Sequence, residues 1–391
     1  MIRSIAHAVQ IGVLGLVAYN AFIALWGWRQ PQRAAVGARR RRFRVLIPAH
    51  NEETVIGSVL ADLEDQTYPA DQISVWVIAD RCTDRTALIA AARAQVDERE
   101  TGPDGKGAAL LWHLARRPLH PEEALVILDA DNWVPSNLLA RMADELDAGH
   151  QVLQAYLDVA NPTGSAIATA AALTYWAGNR MVQLARRNLG WSCDLGGTGS
   201  CFTTEALERA GGFGTALVED QELAVRLALA GVPVTWLHDV RVRDEKPERV
   251  AIVARQRARW MAGKRAVARR YTGHLLTRAV RTHRLELFDQ VLRLVQPGRS
   301  FVALVTAVVG SVTAATGSAW LLPWPVWAVA TGVQVLMPLP FLARDGVETR
   351  HLVRYPLAIL IAALWVPVRL LSRRIGSAWY HTPHGADQRR P

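Results

Sequence analysis

Cysteine is scarce in this 391-residue sequence, limited to Cys82, Cys193 and Cys201. An odd count without metal-ligand spacing excludes a disulfide framework and a zinc site, and fits a reducing compartment. Internal repeats and low-complexity tracts are missing too, which excludes a solenoid. Acid is in deficit: 35 Asp and Glu stand against 45 Lys and Arg, a net charge of +10. Such a balance first suggests nucleic acid, but no recognised nucleic-acid motif is present. Much of the excess is arginine beside apolar segments, where a membrane protein needs it. Nucleic acid is therefore not an expected partner.

What is present is a mixture, 50% hydrophobic and 20% charged. That pairing implies a soluble domain joined to membrane segments. The run Ile5 to Trp28 is almost uncharged and about long enough to span a bilayer as a helix. Its length and the lack of a small-residue cleavage site argue against a cleaved signal. Arg29, Arg33, Arg39, Arg40, Arg41, Arg42 and Arg44 follow it, against Arg3 before it. The positive-inside rule places the N-terminus outside and the following domain in the cytoplasm. Ser300 to Ala319 and Leu321 to Ala343 are two further span candidates. Tyr355 to Val368 is shorter, in the range of re-entrant or interfacial segments, and leaves two or three C-terminal segments open. Arg278 to Arg299 carries apolar residues at helical spacing. It either lies in the membrane interface or packs on the soluble domain. The expected organisation is a span in 1–30, a domain in 43–264, a candidate interfacial helix in 278–299, membrane segments in 300–371 and a basic tail in 372–391.

The central region reads as α/β. Phe43 to Pro48, Ile73 to Ala79 and Ala124 to Leu128 are buried-strand patterns, separated by helix-like Glu53 to Glu64 and Thr86 to Val96. Such alternation implies a mainly parallel sheet with flanking helices, and ligands beyond the carboxyl ends of its strands.

The polar residues after each strand are therefore candidates. Asp129-Ala130-Asp131 follows an apolar strand. Two carboxylates one residue apart suit Mg²⁺ or Mn²⁺, with phosphate oxygens completing the shell; the bland alternative is a surface loop. Pro48 to Glu53 follows the first strand and Asp80 ends the second, where it is placed to accept from a base. Asp84 caps a helix or joins it. Lys106 stands between Gly105 and Gly107 at a helix start, near a phosphate or in a solvated loop. Gly196 to Cys201 is glycine-rich but has neither the dinucleotide nor the P-loop spacing. Glu219-Asp220 opens an apolar-periodic stretch, as helix capping or as a general base. In Gln256-Arg257-Ala258-Arg259-Trp260, Arg259 suits bidentate pairing with diphosphate, and Trp260 offers an aromatic face.

The order of these motifs resembles the family-2 glycosyltransferases of GT-A fold, and within them the membrane-integrated branch of cellulose, chitin and hyaluronan synthases. The resemblance covers Phe43 to Lys264. It implies that Ala49, Glu52, Asp80 and Lys106 contact the nucleoside, and that Asp129 and Asp131 hold Mg²⁺ or Mn²⁺ with the diphosphate. It implies Asp220 as the base and Arg259 as stabiliser of the leaving diphosphate. Gln256, Arg259 and Trp260 match the Q-x-x-R-W signature of processive members, and Cys201 matches a position lining the acceptor site. The implied activity is inverting transfer from a nucleotide sugar, UDP-linked in most of that branch, to a carbohydrate or lipid-linked acceptor. Polysaccharide or oligosaccharide synthesis is the leading expectation, and a single addition to a lipid or polyprenyl phosphate the alternative. Two departures stand out: Ala79 occupies the place of an Asp, and Arg81 that of a Gly or Asn. The few membrane segments leave three alternatives for product export: an oligomer, a partner, or no channel at all.

Overall fold

The computed structural model describes residues 2–38 and 40–363. A seven-stranded sheet forms its centre: β1 (Arg42–Ala49), β2 (Ile73–Asp80), β3 (Gln95–Arg99), β4 (Glu123–Ile127), β5 (Val152–Val159), β6 (Ser200–Thr203) and β7 (Val234–Asp244), in the order β3-β2-β1-β4-β6-β5-β7. Only β6 runs antiparallel to its neighbours β4 and β5. β1, β2, β3 and β4 form a parallel block. The chain lays β2 on one side of β1 and β4 on the other, so the carboxyl ends of β1 and β4 flank a topological switch point, where open sheets bind ligands.

The helices of this domain are α1 (Ile2–Leu25), α2 (Ile56–Glu64), α3 (Thr86–Ala91), α4 (Lys106–Arg116), α5 (Leu138–Asp147), α6 (Ala166–Gly178), α7 (Ala185–Asn188), α8 (Thr204–Arg209) and α9 (Glu219–Ala230). Then come α10 (Val250–Thr282), α11 (Leu285–Val295), α12 (Arg299–Thr316), α13 (Trp324–Leu336), α14 (Pro338–Arg344), α15 (Thr349–Leu352) and α16 (Tyr355–Ala363).

Both sheet faces are covered, so β1 reads as a continuous apolar run from Val45 to Ala49 instead of an alternating one. Phe43, Val45 and Ile47 point to the side of α2 and α5, with Val59, Leu63, Leu139 and Met142. Leu46 points to the other side, with Leu110, Leu173, Phe202, Leu223 and Trp236. The expected strands agree with β1, β2 and β4 to within a residue or two at each end. The expected helix over Thr86 to Val96 does not hold throughout: α3 ends at Ala91, and Gln95–Arg99 forms the edge strand β3.

Among the described residues, three helices are long and apolar enough to cross a membrane: Arg3–Trp28, Arg299–Thr316 and Trp324–Arg344. Gln10 ties the first to the connection between the others, donating to the Trp320 carbonyl and accepting from the Leu322 amide. The stretch 278–299 forms the end of α10 and α11. Leu287, Val291 and Leu294 pack with Val225, Leu275 and Ala279, so this face rests on the domain. The end of the Tyr355 to Val368 run and the tail 372–391 lie outside the described residues.

Candidate active site

One cleft of about 1240 Å³ opens at the carboxyl ends of the central strands. Lys106, Asp129, Asp131, Asp220, Gln256, Arg259 and Trp260 all line it. Seven residues spread over 155 positions thus converge on one space, and each is delivered by a local device.

Asp129 follows β4 in a turn held from behind. Its amide donates to the side chains of Asn132 and Thr198, 3.0 Å each, and Thr198 also bonds Asn132. Asn132 is fully buried. Next to it, Trp133 and Arg243 exchange backbone hydrogen bonds of 2.8 and 3.0 Å, which staples the turn to β7. Asp129 and Asp131 are therefore presented by a fixed frame.

Lys106 begins α4 and donates to Asp129 and to the Gly197 carbonyl. A side chain at Gly107 would collide with the Gly214 carbonyl, so glycine lets the start of α4 press against the loop before α9. Burial alone would lower the Lys106 pKa, but Asp129, Glu219 and Asp220 prevail and raise it. The ammonium is thus retained among acids.

Glu219 and Asp220 open α9, whose N-cap residue Val218 supplies no side-chain cap. Asp220 accepts from the Gln221 amide at 2.7 Å. Burial, then the neighbouring Glu219, pushes the Asp220 pKa up to about 7. Burial also raises Glu219, against the field of Lys106. A carboxyl poised near neutrality in a cleft suits proton abstraction.

Gln256, Arg259 and Trp260 share one face of α10 at spacings of three and four residues. Arg259 Nε is buried and has no hydrogen-bond partner among the described residues. Trp260 is 37% exposed, as is Leu217 at 40%, giving the cleft an apolar rim.

Ala49, Glu52 and Asp80 do not line this cleft. They lie at the ends of β1 and β2, joined to it through Arg81, which pairs with both Asp80 and the cleft residue Asp104. Asp80 also accepts from Arg99 at 2.8 Å. Arg81 has φ +52° and Asn51 φ +56°. The left-handed backbone at Arg81 explains why glycine or asparagine suits that place, since other side chains are strained there. Cys201 does not face the cleft either. It lies on β6 between Val126 and Leu153, fully buried, and burial pushes its thiol pKa to about 12. The expectation that it lines an acceptor site is corrected: along a strand alternate side chains face opposite ways, and Cys201 belongs to the core below the sheet.

Sequence reasoning missed Asn132, Thr198 and the pair Asp244–Lys246, 2.5 Å apart on the cleft wall. Asn132 was legible as the residue after the two aspartates. Asp244 was not, because only the Trp133–Arg243 bridge brings β7 to that turn.

Among the described residues no three His, Cys, Asp or Glu side chains stand at ligand spacing around one point. Asp129, with 42% of its side chain exposed, and Asp131 are hard oxygen donors facing the cleft. Such a pair fits Mg²⁺ or Mn²⁺ that draws further ligands from a substrate.

Comparison with known proteins agrees with this layout. β-Monoglucosyldiacylglycerol synthase of Synechocystis is 29% identical over 236 residues, 56% of this chain and 47% of the relative. A probable glucomannan 4-β-mannosyltransferase of rice is 26% identical over 246 residues, 59% of this chain and 44% of the relative. The chain spans about half the length of these curated relatives. Among solved structures, a mannosyltransferase of Pyrobaculum calidifontis, in complex with GDP-mannose and Mn²⁺, superposes with a TM-score of 0.59 at 22% identity, covering 93% of this chain and 99% of that one. The fold is thus of the GT-A type. The family model described as "Glycosyltransferase like family 2" matches residues 40–263. That stretch is more than half of the sequence and contains every cleft residue named above, and the chain belongs to that glycosyltransferase family.

Proposed function

We propose that the chain transfers a sugar from a nucleotide-sugar donor to an acceptor hydroxyl in one in-line displacement, with inversion at the anomeric carbon. The observation that carries this reading is the arrangement of the cleft. An aspartate pair, a carboxyl pushed to about 7, Asp220, and a guanidinium, Arg259, line the same cleft. Asp220 takes the proton of the acceptor hydroxyl as the glycosidic bond forms. Arg259 pairs with the departing diphosphate, and Lys106 adds positive charge beside it. Asp129 and Asp131 are the residues that would hold Mg²⁺ or Mn²⁺, which when bound offsets charge on the diphosphate. Ala49, Glu52 and Asp80 form the nucleoside end, with UDP the favoured donor nucleotide. An α-linked donor then gives a β-glycoside. Replacing Asp220 with Asn tests the assignment: transfer is lost while donor binding persists, and undiminished transfer refutes it.

The three apolar helices seat the enzyme in a membrane, with the catalytic domain on the cytoplasmic side, where the arginines after Trp28 belong. For the acceptor, Gln256 to Trp260 supports chain extension. The apolar rim of Leu217 and Trp260, with a relative named as a β-monoglucosyldiacylglycerol synthase, favours a second reading, one addition to a lipid. Product size decides between them: a ladder supports extension, a single addition the lipid.

A further inference from the structure

One face of α11 rests on the domain, and its other two faces differ in chemistry. Asp289, Gln290 and Arg293 form a polar face that is buried in spite of its charge. Asp289 accepts from Tyr19 of α1 at 2.6 Å and from Arg186 of α7 at 2.8 and 2.7 Å. Arg293 pairs with Asp289 at 3.0 Å and with Asp194, two residues before the cleft-lining Gly196. The third face is apolar: Leu285, Leu292 and Val295, at spacings of seven and three residues, form one stripe, and Phe288 is half-buried between it and the domain. Leu285 is 68% and Val295 51% exposed.

The depth of that stripe follows from α1. Asp289 bonds Tyr19, and Gln296, just beyond α11, bonds the adjacent Asn20 at 3.1 Å. Seven residues advance about 10 Å along a helix, whereas neighbouring residues advance about 1.5 Å. α11 therefore crosses α1 instead of running beside it. Tyr19 and Asn20 also lie inside the apolar span Arg3–Trp28. α11 thus sits at the depth of a membrane-facing segment, with its charges turned inward and its apolar stripe outward.

The preceding helix supplies charge at the same place. α10 carries no acidic residue from Val250 to Thr282. Its last turns expose Leu276 at 39% and Val280 at 60%, flanked by exposed Arg278 and Arg281. Neither arginine has an acidic partner among the described residues. Arg281 stands four positions before Leu285, the first residue of the stripe.

We propose that the end of α10 and the outer face of α11 form a binding surface for the anionic phospholipids of the bilayer. Leu285, Leu292, Val295 and Val280 enter the acyl region, and Arg278 and Arg281 pair with headgroup phosphates and their net negative charge. The assignment rests on the membrane seating proposed above, not on the catalytic roles. Through Asp289 and Arg293 the same helix braces Arg186 and Asp194, so the lipid-seated element also supports the back wall of the cleft.

The test uses the full chain in nanodiscs of constant phosphatidylglycerol and phosphatidylcholine content, with bromine on the acyl chains of one lipid or the other. A bimane label on L285C, in a C82S background, reports contact by quenching, independently of sugar transfer. Brominated phosphatidylglycerol is expected to quench at least about twofold more than brominated phosphatidylcholine. The pair R278Q and R281Q is expected to equalise the two while leaving the thermal transition unchanged. No quenching by either lipid overturns the lipid contact. Equal quenching in the chain that keeps both arginines overturns the anionic preference.

Discussion

The two ends of the candidate site are built on opposite principles. At the ends of β1 and β2, charges are matched within the protein: Asp80 accepts from Arg81 at 3.0 Å and Arg99 at 2.8 Å, and two residues are held in left-handed backbone. At the ends of β4 and β7 and the starts of α9 and α10, charges are left in tension. Asp220 is pushed to about 7, Glu219 is raised beside it, and Arg259 Nε has no hydrogen-bond partner among the described residues. A binding end benefits from internal pairing, which fixes its shape before the ligand arrives. A reacting end benefits from groups whose charge is completed only by the substrate and the transition state.

This contrast breaks most sharply at Asp220. Asp220→Asn is expected to reduce transfer by about 10³-fold, within the range of general-base catalysis, with donor affinity changed by no more than about threefold. Single-turnover transfer and donor titration measure the two separately. Arg259→Lys comes next, with transfer reduced about 10²-fold, since a point charge replaces a planar fork; the loss belongs in kcat, and a change confined to KM contradicts the role.

The pH dependence sharpens the same end. With Asp220 titrating near 7, the rate is expected to fall about tenfold per pH unit below that value and to level off above it. Stability has the opposite sign. The folded chain keeps this proton up to about pH 7, whereas an unfolded aspartate releases it near about 4. The folded state binds more protons in that window, so this group's contribution to stability declines as pH rises through it. Asp220→Asn is therefore expected to raise the melting temperature at pH 8 and to leave it nearly unchanged at pH 4. A variant less stable at pH 8 counts against the burial argument.

The matched end gives smaller effects. Asp80→Ala is expected to raise the donor KM about tenfold with kcat nearly constant, because one hydrogen-bonding acceptor to the base is lost. The smallest effect is at Cys201. Cys201→Ala, inside the sheet core, is expected to leave the acceptor KM unchanged and to cost about 1 kcal/mol of stability from the cavity. An altered acceptor KM would restore Cys201 to the acceptor site.

The same contrast explains what the sequence disclosed. β1, β2 and β4 are apolar runs covered on both faces, and such runs announce themselves. β3 does not, because its buried positions are Asp97 and Arg99, satisfied by His113, Arg117 and Asp80. A period of two written in charges has no hydrophobic signal. The site residues that follow strands or open helices were legible because strand ends and helix starts are local features. Cys201 was misread because Gly196, Gly197 and Thr198, a few residues before it, line the cleft while its own side chain lies in the core. Asp244 and the Asp289 network depend on long-range pairing, between β7 and the Asp129 turn and between α11 and α1, and no local pattern encodes either.

The central claim is a single displacement assisted by one base, and the anomeric configuration of the product tests it most directly. With an α-linked nucleotide sugar that the enzyme accepts, the proton coupling of the new anomeric centre, read by NMR at the first turnover, should report a β-glycoside. An α-glycoside would contradict the account, because retention requires a mechanism that Asp220 acting once as a base does not provide.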